Sequence, residues 1–141
     1  LIKTEKEKIV LTPTYYVFKM YKIHQDSTWL PATLECDKYK YNNECIPQIS
    51  CSASMNSKGV INLTLCNTHL QSQAFLNCRF VKAHGIKEIK GNILTSECIY
   101  AQNTFKEPDN IAISNFYDFK IIENNFSVKL PPKSIVLLSI Y

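Results

Sequence analysis

The sequence has little of what metal-, cofactor- and nucleotide-binding proteins require. It contains only three glycines, and they are too far apart to form a glycine-rich phosphate-binding loop. Its three histidines, His24, His69 and His84, are also widely separated and form no HxH or HExxH motif. We therefore expect no cofactor and no metal site.

Arginine and long apolar runs are also scarce. Arg79 is the only arginine among 16 basic residues, and the lysines are scattered along the chain, which has a net charge of +4. Nucleic-acid-binding proteins usually concentrate their basic residues and use arginines to reach bases. No run of apolar residues is long enough to cross a bilayer as a helix. We therefore expect neither a nucleic acid nor a membrane as a partner.

The residues by themselves predict no active site. There is no GxSxG motif, and no cysteine lies in a sequence motif typical of a nucleophile. Glycosidases need two carboxyl groups flanking the bond that is cleaved. Nearly all of the 12 acidic residues lie in charged, loop-like contexts without an apolar pocket that would tune a pKa.

The six cysteines leave two alternatives open. They are irregularly spaced and form no CxxC pair, which argues against a zinc site. An even number is compatible with three disulfides in a secreted protein. However, Cys66 and Cys78 lie inside strand-like runs, where a thiol behaves as a small apolar group. We favour mostly buried free thiols at the following positions: Cys36, Cys45, Cys51, Cys66, Cys78 and Cys98.

The stretch Thr12–His24 predicts a helix that is apolar almost all round. The Thr12 hydroxyl can cap it, and Pro13 suits the first helical position. Only Lys19 and Lys22 form a narrow polar stripe. A helix of this kind is expected to be buried on more than one side. The residues that we expect at an interface with a partner outside this sequence are Tyr16, Val17, Phe18, Met20, Tyr21 and Ile23.

From Pro31 onward the sequence alternates with a period of two, which indicates β-strands. The clearest strand, Val60–Asn67, follows a turn predicted at Asn56–Gly59, where glycine tolerates a positive φ. Residues 1–11 are interpreted as a charged lead-in, and Lys120–Leu130 as one strand-like run. The other predicted strands are Gln48–Ser54, Ala74–Val81 (ended at His84-Gly85), a run within Ile86–Ser96 bent at Gly91, and a run within Ile111–Phe119.

The last strand, Ser134–Tyr141, is apolar on both faces, which is typical of a strand in the middle of a sheet. Seven or eight short strands separated by close turns predict an all-β sandwich. Three aromatic residues in or beside this predicted sandwich are alternatives for sugar stacking, since aromatic faces suit sugar rings. They are Trp29, for which we favour packing on the β-domain, and Tyr39 and Tyr41, which alternate along one run and can equally pack on a sheet edge.

The segment Ile9–Glu35 resembles the end of the catalytic region in family 51 α-L-arabinofuranosidases, which carry a run much like VLTPTYHVFEMYKVHQDATLLP. Three further pieces resemble the C-terminal β-domain of that family: ISCSASMNSKGVINLTLCN, GNILTSECIYAQNTFKEPDNI and VKLPPKSIVLLSIY. Together these pieces cover nearly the whole chain in the same order. Tyr16 and Trp29 depart from the pattern, since the family often has His and Leu there.

This resemblance implies a fold and a function. The expected fold is an antiparallel β-sandwich of jelly-roll type (31–141), preceded by residues 1–30, a linker and one helix left from a (β/α)8 barrel. The parent enzyme would be a retaining glycosidase acting on arabinose-containing polysaccharides or oligosaccharides, with its two catalytic glutamates on the barrel. The chain would then be a piece of that enzyme, non-catalytic and structural, with the barrel as its partner. The resemblance is compatible with a homo-oligomer and with a cytoplasmic or an exported protein.

Two other functions share the sandwich. A carbohydrate-binding module would use Trp29, Tyr39 and Tyr41, and it is the main alternative. An immunoglobulin-like adhesion domain would leave the helix unexplained, and its Cys…Trp…Cys order is absent.

Overall fold

The computed structural model describes residues 1–81 and 85–141. His84, which was predicted to end the strand that begins at Ala74, lies outside the described residues. One helix precedes most of the strands. The elements in chain order are β1 (Ile2–Glu5), β2 (Lys8–Leu11), α1 (Pro13–Tyr21), a 3-10 turn (Lys22–His24), β3 (Thr28–Trp29), β4 (Lys38–Tyr41), β5 (Glu44–Pro47), β6 (Ile49–Met55), β7 (Ile61–Asn67), β8 (Ala74–Arg79), β9 (Ile89–Thr95), β10 (Ser114–Phe116), β11 (Phe119–Ile122), β12 (Asn125–Leu130) and β13 (Ser134–Ile140).

The larger sheet has six antiparallel strands in the order β10-β9-β13-β7-β6-β3. Its strand β13 pairs along its whole length with β7 on one side and with β9 on the other. The prediction that the last strand lies in the middle of a sheet is therefore confirmed.

The smaller sheet, in the order β11-β12-β8, packs against one face of the larger sheet. Alternate residues of both sheets meet in the core between them, including Leu65, Val136 and Leu138 from the larger sheet and Val128 and Leu130 from the smaller one. Burying these side chains is the main favourable contribution to folding. The expected all-β antiparallel sandwich of jelly-roll type, preceded by one helix, is confirmed.

The helix covers part of the opposite face of the larger sheet. There Leu137 of β13 and Leu94 of β9 form a second core with Tyr16 and Met20 of α1. Ile111, from the loop before β10, completes it. This second core explains why the last strand is apolar on both faces.

The helix is shorter than predicted and begins differently. It ends at Tyr21, and Lys22–His24 continue as a single 3-10 turn. Pro13 is its first residue, as predicted. The predicted cap is wrong, because the Thr12 hydroxyl instead donates a hydrogen bond to the carbonyl of Leu1 at 2.8 Å. That bond joins the start of the helix to the chain's first residue.

The sequence did not indicate the β4–β5 hairpin, and it misassigned two other hairpins. The charged lead-in of residues 1–11 is a hairpin, in which β1 and β2 pair across a turn with Lys6 at φ +52°. The run Lys120–Leu130 is not one strand, because Glu123, at φ +54°, turns the chain between β11 and β12. Both turns place non-glycine residues in the left-handed region, so neither carries the glycine that usually marks such a turn.

Two glycines have clear structural reasons. Gly59 has φ +79° in the predicted turn, where Asn56 Oδ1 accepts hydrogen bonds from the Lys58 and Val60 amides at 2.9 and 3.1 Å. At Gly91 a Cβ would lie 2.4 Å from the carbonyl oxygen of Phe116 on the neighbouring strand. Gly91 thus permits the close approach of β10 to β9.

All six cysteines are free. Cys45 and Cys98 are exposed and the other four are partly buried, so the preference for free thiols is right but their burial was overestimated. Burial, and to a smaller extent nearby Cys51, raises the pKa of the Cys78 thiol to about 11. Burial also raises the pKa of Cys66, partly offset by a hydrogen bond with Ser50. A protonated thiol is a poor nucleophile, so the thiols of Cys66 and Cys78 are expected to be unreactive.

Candidate functional surfaces

Two of the six residues predicted at an external interface belong to the chain's own core. Tyr16 is 8% exposed and Met20 is 2% exposed, and both pack on the larger sheet. Burial also raises the pKa of the Tyr16 hydroxyl, with smaller contributions from Asp109 and Tyr15. The assignment of Tyr16 and Met20 to an external interface is therefore corrected. The sequence could not show that the sheet has an apolar second face for the helix to cover.

The other four residues predicted at the interface differ in the exposure of their side chains to solvent. Val17, Tyr21 and Ile23 are partly buried, and Val17 and Ile23 pack against the second core. Phe18 is 64% exposed, and Lys22, one helical turn further on, is exposed as well. The apolar surface that α1 offers to a partner is therefore centred on Phe18. Its role as an interface stays a prediction.

His24 attaches the end of the helical segment to the larger sheet. Its Nδ1 lies 2.7 Å from the Ser54 hydroxyl of β6, and its Nε2 lies 2.7 Å from the Thr64 hydroxyl of β7. A neutral imidazole has one donor and one acceptor nitrogen, so one hydroxyl accepts and the other donates. Desolvation by burial lowers the pKa of His24, which favours this neutral form. We call His24, Ser54 and Thr64 the histidine bridge.

The face of β7 that carries Asn62 and Thr64 is also buried. Asn62 and Thr64 are fully buried, and Ser139 donates a hydrogen bond to Asn62 Oδ1 at 2.9 Å. Within the residues that the structure describes, Asn62 Nδ2 has no partner. Sequence reasoning missed this polar layer and the histidine bridge. Their signal was Ser54, Asn62 and Thr64 on the same face of two adjacent predicted strands, with a histidine following the helix.

The residues predicted as sugar contacts lie on two separate elements, the edge strand β3 and the β4–β5 hairpin. Trp29, in the edge strand β3, pairs with Ser54 and is 73% exposed, so the expected packing of its ring on the β-domain is wrong. Tyr41 of β4 is 69% exposed, whereas Tyr39 is partly buried and its ring centroid lies 4.7 Å from that of His69. Tyr39 therefore offers less open ring surface than Tyr41. Their contact with sugar stays a prediction.

A groove of about 360 Å³ lies on the outer face of the smaller sheet. We call it the outer-sheet groove, and its principal side chains are Phe75, Asn77, Tyr117, Lys120, Ser127 and Lys129. None of Trp29, Tyr39 and Tyr41 lines it. No sequence signal singled out these residues, because Phe75 and Tyr117 lie in separate parts of the chain.

The described residues offer no catalytic or metal centre. Among residues 1–81 and 85–141, no group of three or more His, Cys, Asp or Glu could hold a metal ion. All 12 acidic residues are exposed, and none of them lies in an enclosed site. In the same part of the chain, no helix has the length and apolar character to span a membrane.

Comparison with known proteins agrees with the geometry. Residues 1–134 match the model of the α-L-arabinofuranosidase C-terminal domain. The chain is 41% identical over 143 residues to an intracellular exo-α-L-arabinofuranosidase of Bacteroides ovatus, covering 99% of this chain and 27% of that protein. The chain thus spans about a quarter of that relative's length.

Solved structures show the same fold. The GH51 arabinofuranosidase of Xanthomonas axonopodis pv. citri superposes with a TM-score of 0.95 at 31% identity, over 99% of this chain and 28% of that one. AbfB, a family 51 α-L-arabinofuranosidase of Bifidobacterium longum, superposes with a TM-score of 0.86 at 14% identity, over 99% of this chain and 28% of that one; at this identity the likeness shows the fold alone. With the sandwich, the preceding helix and the match over residues 1–134 all in agreement, the chain belongs to the α-L-arabinofuranosidase C-terminal domain family.

Proposed function

We propose that this chain is the C-terminal accessory domain of an α-L-arabinofuranosidase, a retaining glycoside hydrolase that removes arabinofuranosyl residues from arabinose-containing polysaccharides. The observation that carries this proposal is the match of 99% of the chain to an arabinofuranosidase of which it spans 27%. A domain that makes up about a quarter of such an enzyme can serve it without a site of its own.

The role that the geometry supports is structural. In this proposal residues 1–30 come from the end of the catalytic barrel and a linker, and residues 31–141 form the sandwich that covers one flank of the barrel. The linker also adds the edge strand β3 to the larger sheet of the sandwich. The second core and the histidine bridge fix the helix on the sandwich, which leaves Phe18 facing outward. Phe18 would then contact the barrel of the same polypeptide or a second copy in a homo-oligomer.

The side chains support a non-catalytic role. Retaining glycosidases place two carboxyl groups about 5 Å apart, and one of them has a raised pKa. All 12 acidic residues of this chain are exposed, so none of them forms an enclosed pair of carboxyl groups. The catalytic carboxyl groups of the proposed enzyme would therefore lie on its barrel.

A hydrolysis assay tests the non-catalytic role. We expect the purified 141-residue chain to hydrolyse an aryl α-L-arabinofuranoside no faster than buffer does. Turnover that follows the chain through successive columns would contradict this role.

The coding sequence upstream of Leu1 tests the parent enzyme. We expect it to encode about 250 residues of alternating strand and helix patterns, the size of a (β/α)8 barrel, with two glutamates at strand ends. A start codon or a signal peptide directly before Leu1 would contradict the proposal. It would favour the second candidate, a carbohydrate-binding module, which the exposure of Trp29 and Tyr41 supports.

A further inference from the structure

The outer face of the smaller sheet carries an exposed aromatic residue at a position where a polar residue is usual. Residues Leu76 of β8 and Val128 of β12 point into the core, so their neighbours in the strands point outward. Outward positions of a surface sheet are usually polar. Here they include Phe75, which is 68% exposed, at the edge of the sheet.

A second exposed aromatic residue lies at the same groove. Tyr117, in the link between β10 and β11, is 75% exposed and lines the outer-sheet groove together with Phe75. Lys129, directly across the strand pair from Phe75, places its Nζ 5.6 Å from the centroid of the Phe75 ring. This cation–π contact restrains one aromatic ring of the groove.

A row of polar side chains crosses the sheet within the groove. In the strand register Asn77 pairs with Ser127, and Ser127 pairs with Lys120. In the described part of the chain, none of these three side chains has a hydrogen-bond partner. The groove therefore combines two open aromatic rings with an amide, a hydroxyl and an ammonium group that are free to bond.

We propose that the outer-sheet groove binds an oligosaccharide chain, and that in this protein the ligand is an arabinose-containing oligosaccharide. Sugar rings have apolar C–H faces, which pack on aromatic rings, and hydroxyl rims, which need both donors and acceptors. Phe75 and Tyr117 supply the rings, while Asn77, Ser127 and Lys120 supply the hydrogen bonds. The groove would hold substrate chains near the enzyme without taking part in the reaction.

Two features favour a sugar over a second protein chain as the occupant. The groove is lined by the charged residues Lys120, Lys129 and Asp118, whereas the centre of a stable protein interface is depleted in charged residues. The groove is also open to solvent, so a flexible chain can lie across it. The choice of arabinose rests on the proposed function, whereas the choice of a sugar rests on the groove.

The test is an NMR titration of the 141-residue chain with α-1,5-linked arabinohexaose, with cellohexaose as the second probe. Arabinohexaose is expected to shift the amide resonances of Asn77 and Ser127 in a saturable way. Tyr117→Ala and Phe75→Ala are expected to weaken binding about tenfold or more. Tyr100→Ala, which removes an aromatic ring that is 88% exposed and outside the groove, is the matched control and is expected to bind as the unaltered chain does.

Three results would overturn the proposal. The first is that neither sugar shifts any resonance of the groove. The second is that shifts centre on the indole of Trp29 and disappear in Trp29→Ala, which would place the sugar on the other sheet. The third is a dimer, measured by light scattering, that Tyr117→Ala dissociates, which would make the groove a contact between copies.

The proposed function can fail separately from the groove. If cellohexaose binds through Tyr117 and arabinohexaose does not, the groove binds sugar but the arabinose assignment is wrong. If arabinohexaose binds and the upstream coding sequence contains no barrel, the groove stands and the accessory role fails.

Discussion

At the scale of single residues, His24 connects more of the fold than any pattern in the sequence indicated. One ring contacts a hydroxyl on each of two adjacent strands and sits at the end of the helical segment. Because its ring is partly buried, its pKa lies below the ordinary value of 6.5. The histidine bridge therefore depends on the ring staying neutral.

This dependence makes stability sensitive to acid. As the pH falls below about 6.5, the unfolded chain binds a proton at His24 before the folded chain does, so the free energy of unfolding decreases. Well above pH 6.5 the ring is neutral in both states, and this contribution is constant. Urea unfolding at a series of pH values between 5 and 8 measures the slope.

His24→Gln is the matched variant, because the amide can still donate and accept but does not titrate. We expect it to reduce the loss of stability between pH 6.5 and 5. An unchanged slope in His24→Gln would contradict the role of the histidine bridge.

Gly91 was singled out from the sequence, but only part of its structural role was predicted. A glycine inside a strand-like run predicted a bend. The structure gives a steric cause, since Phe116 of β10 lies where a side chain would be. That neighbour is 25 positions away in the sequence, so no local pattern could identify it.

At the scale of elements, the helix is attached to its own domain more firmly than its sequence suggested. A nearly all-round apolar helix predicted burial on two sides. One side packs on the larger sheet through Tyr16 and Met20, and Phe18 remains exposed. The two sides of α1 should therefore respond differently to the same substitution.

Met20→Ala and Phe18→Ala compare these two sides. Met20→Ala is expected to lower the free energy of unfolding by about 2–5 kcal/mol, because it leaves a cavity in the second core. Phe18→Ala is expected to change it by about 0.5 kcal/mol or less, because the ring is largely in water. Chemical denaturation of both variants makes the comparison. Similar losses in the two variants would show that Phe18 is also part of this chain's core.

The strands were predictable where burial repeats regularly and not where short hairpins lie outside the core. The alternation of β7 and the two apolar faces of β13 were recognised because a sheet core imposes them over seven residues. The hairpin of β1 and β2 was missed because every residue of β1 is exposed, so burial imposes no pattern there. The same applies to the hairpin of β4 and β5, where only Tyr39 is partly buried.

At the scale of the whole molecule, stability is concentrated around one strand. Strand β13 is paired on both sides and covered on both faces, and Val136 and Leu138 are fully buried. By contrast, the β1–β2 and β4–β5 hairpins are separate two-stranded sheets. The molecule therefore has a central region that is shielded from solvent on both faces and both edges of β13, and two hairpins at its periphery.

Hydrogen exchange should separate these regions. The amides of Val136 and Leu138 are expected to exchange slowest, because they open only when the larger sheet does. Amides of β4 and β5 are expected to exchange faster, through local opening. Mass spectrometry of exchanged peptides measures the difference, and equal protection of β5 and β13 would contradict it.

The architecture as a whole was predictable, and the surfaces were not. Alternation, turn residues and the family resemblance together gave the sandwich and the helix before it. The outer-sheet groove was not predictable, because Phe75 and Tyr117 come together only through the pairing of β8, β12 and β11. Sequence spacing carries no information about such pairings between distant strands.

The six unpaired thiols determine how this protein oxidises during storage in air. Cys45 and Cys98 stand in water, while Cys51, Cys66 and Cys78 are kept protonated by burial. Oxygen will therefore link molecules to one another through the two surface positions and leave the interior unchanged. Storage without a reductant should give a ladder of covalent multimers on a non-reducing gel, and dithiothreitol should restore the monomer without altering its melting temperature.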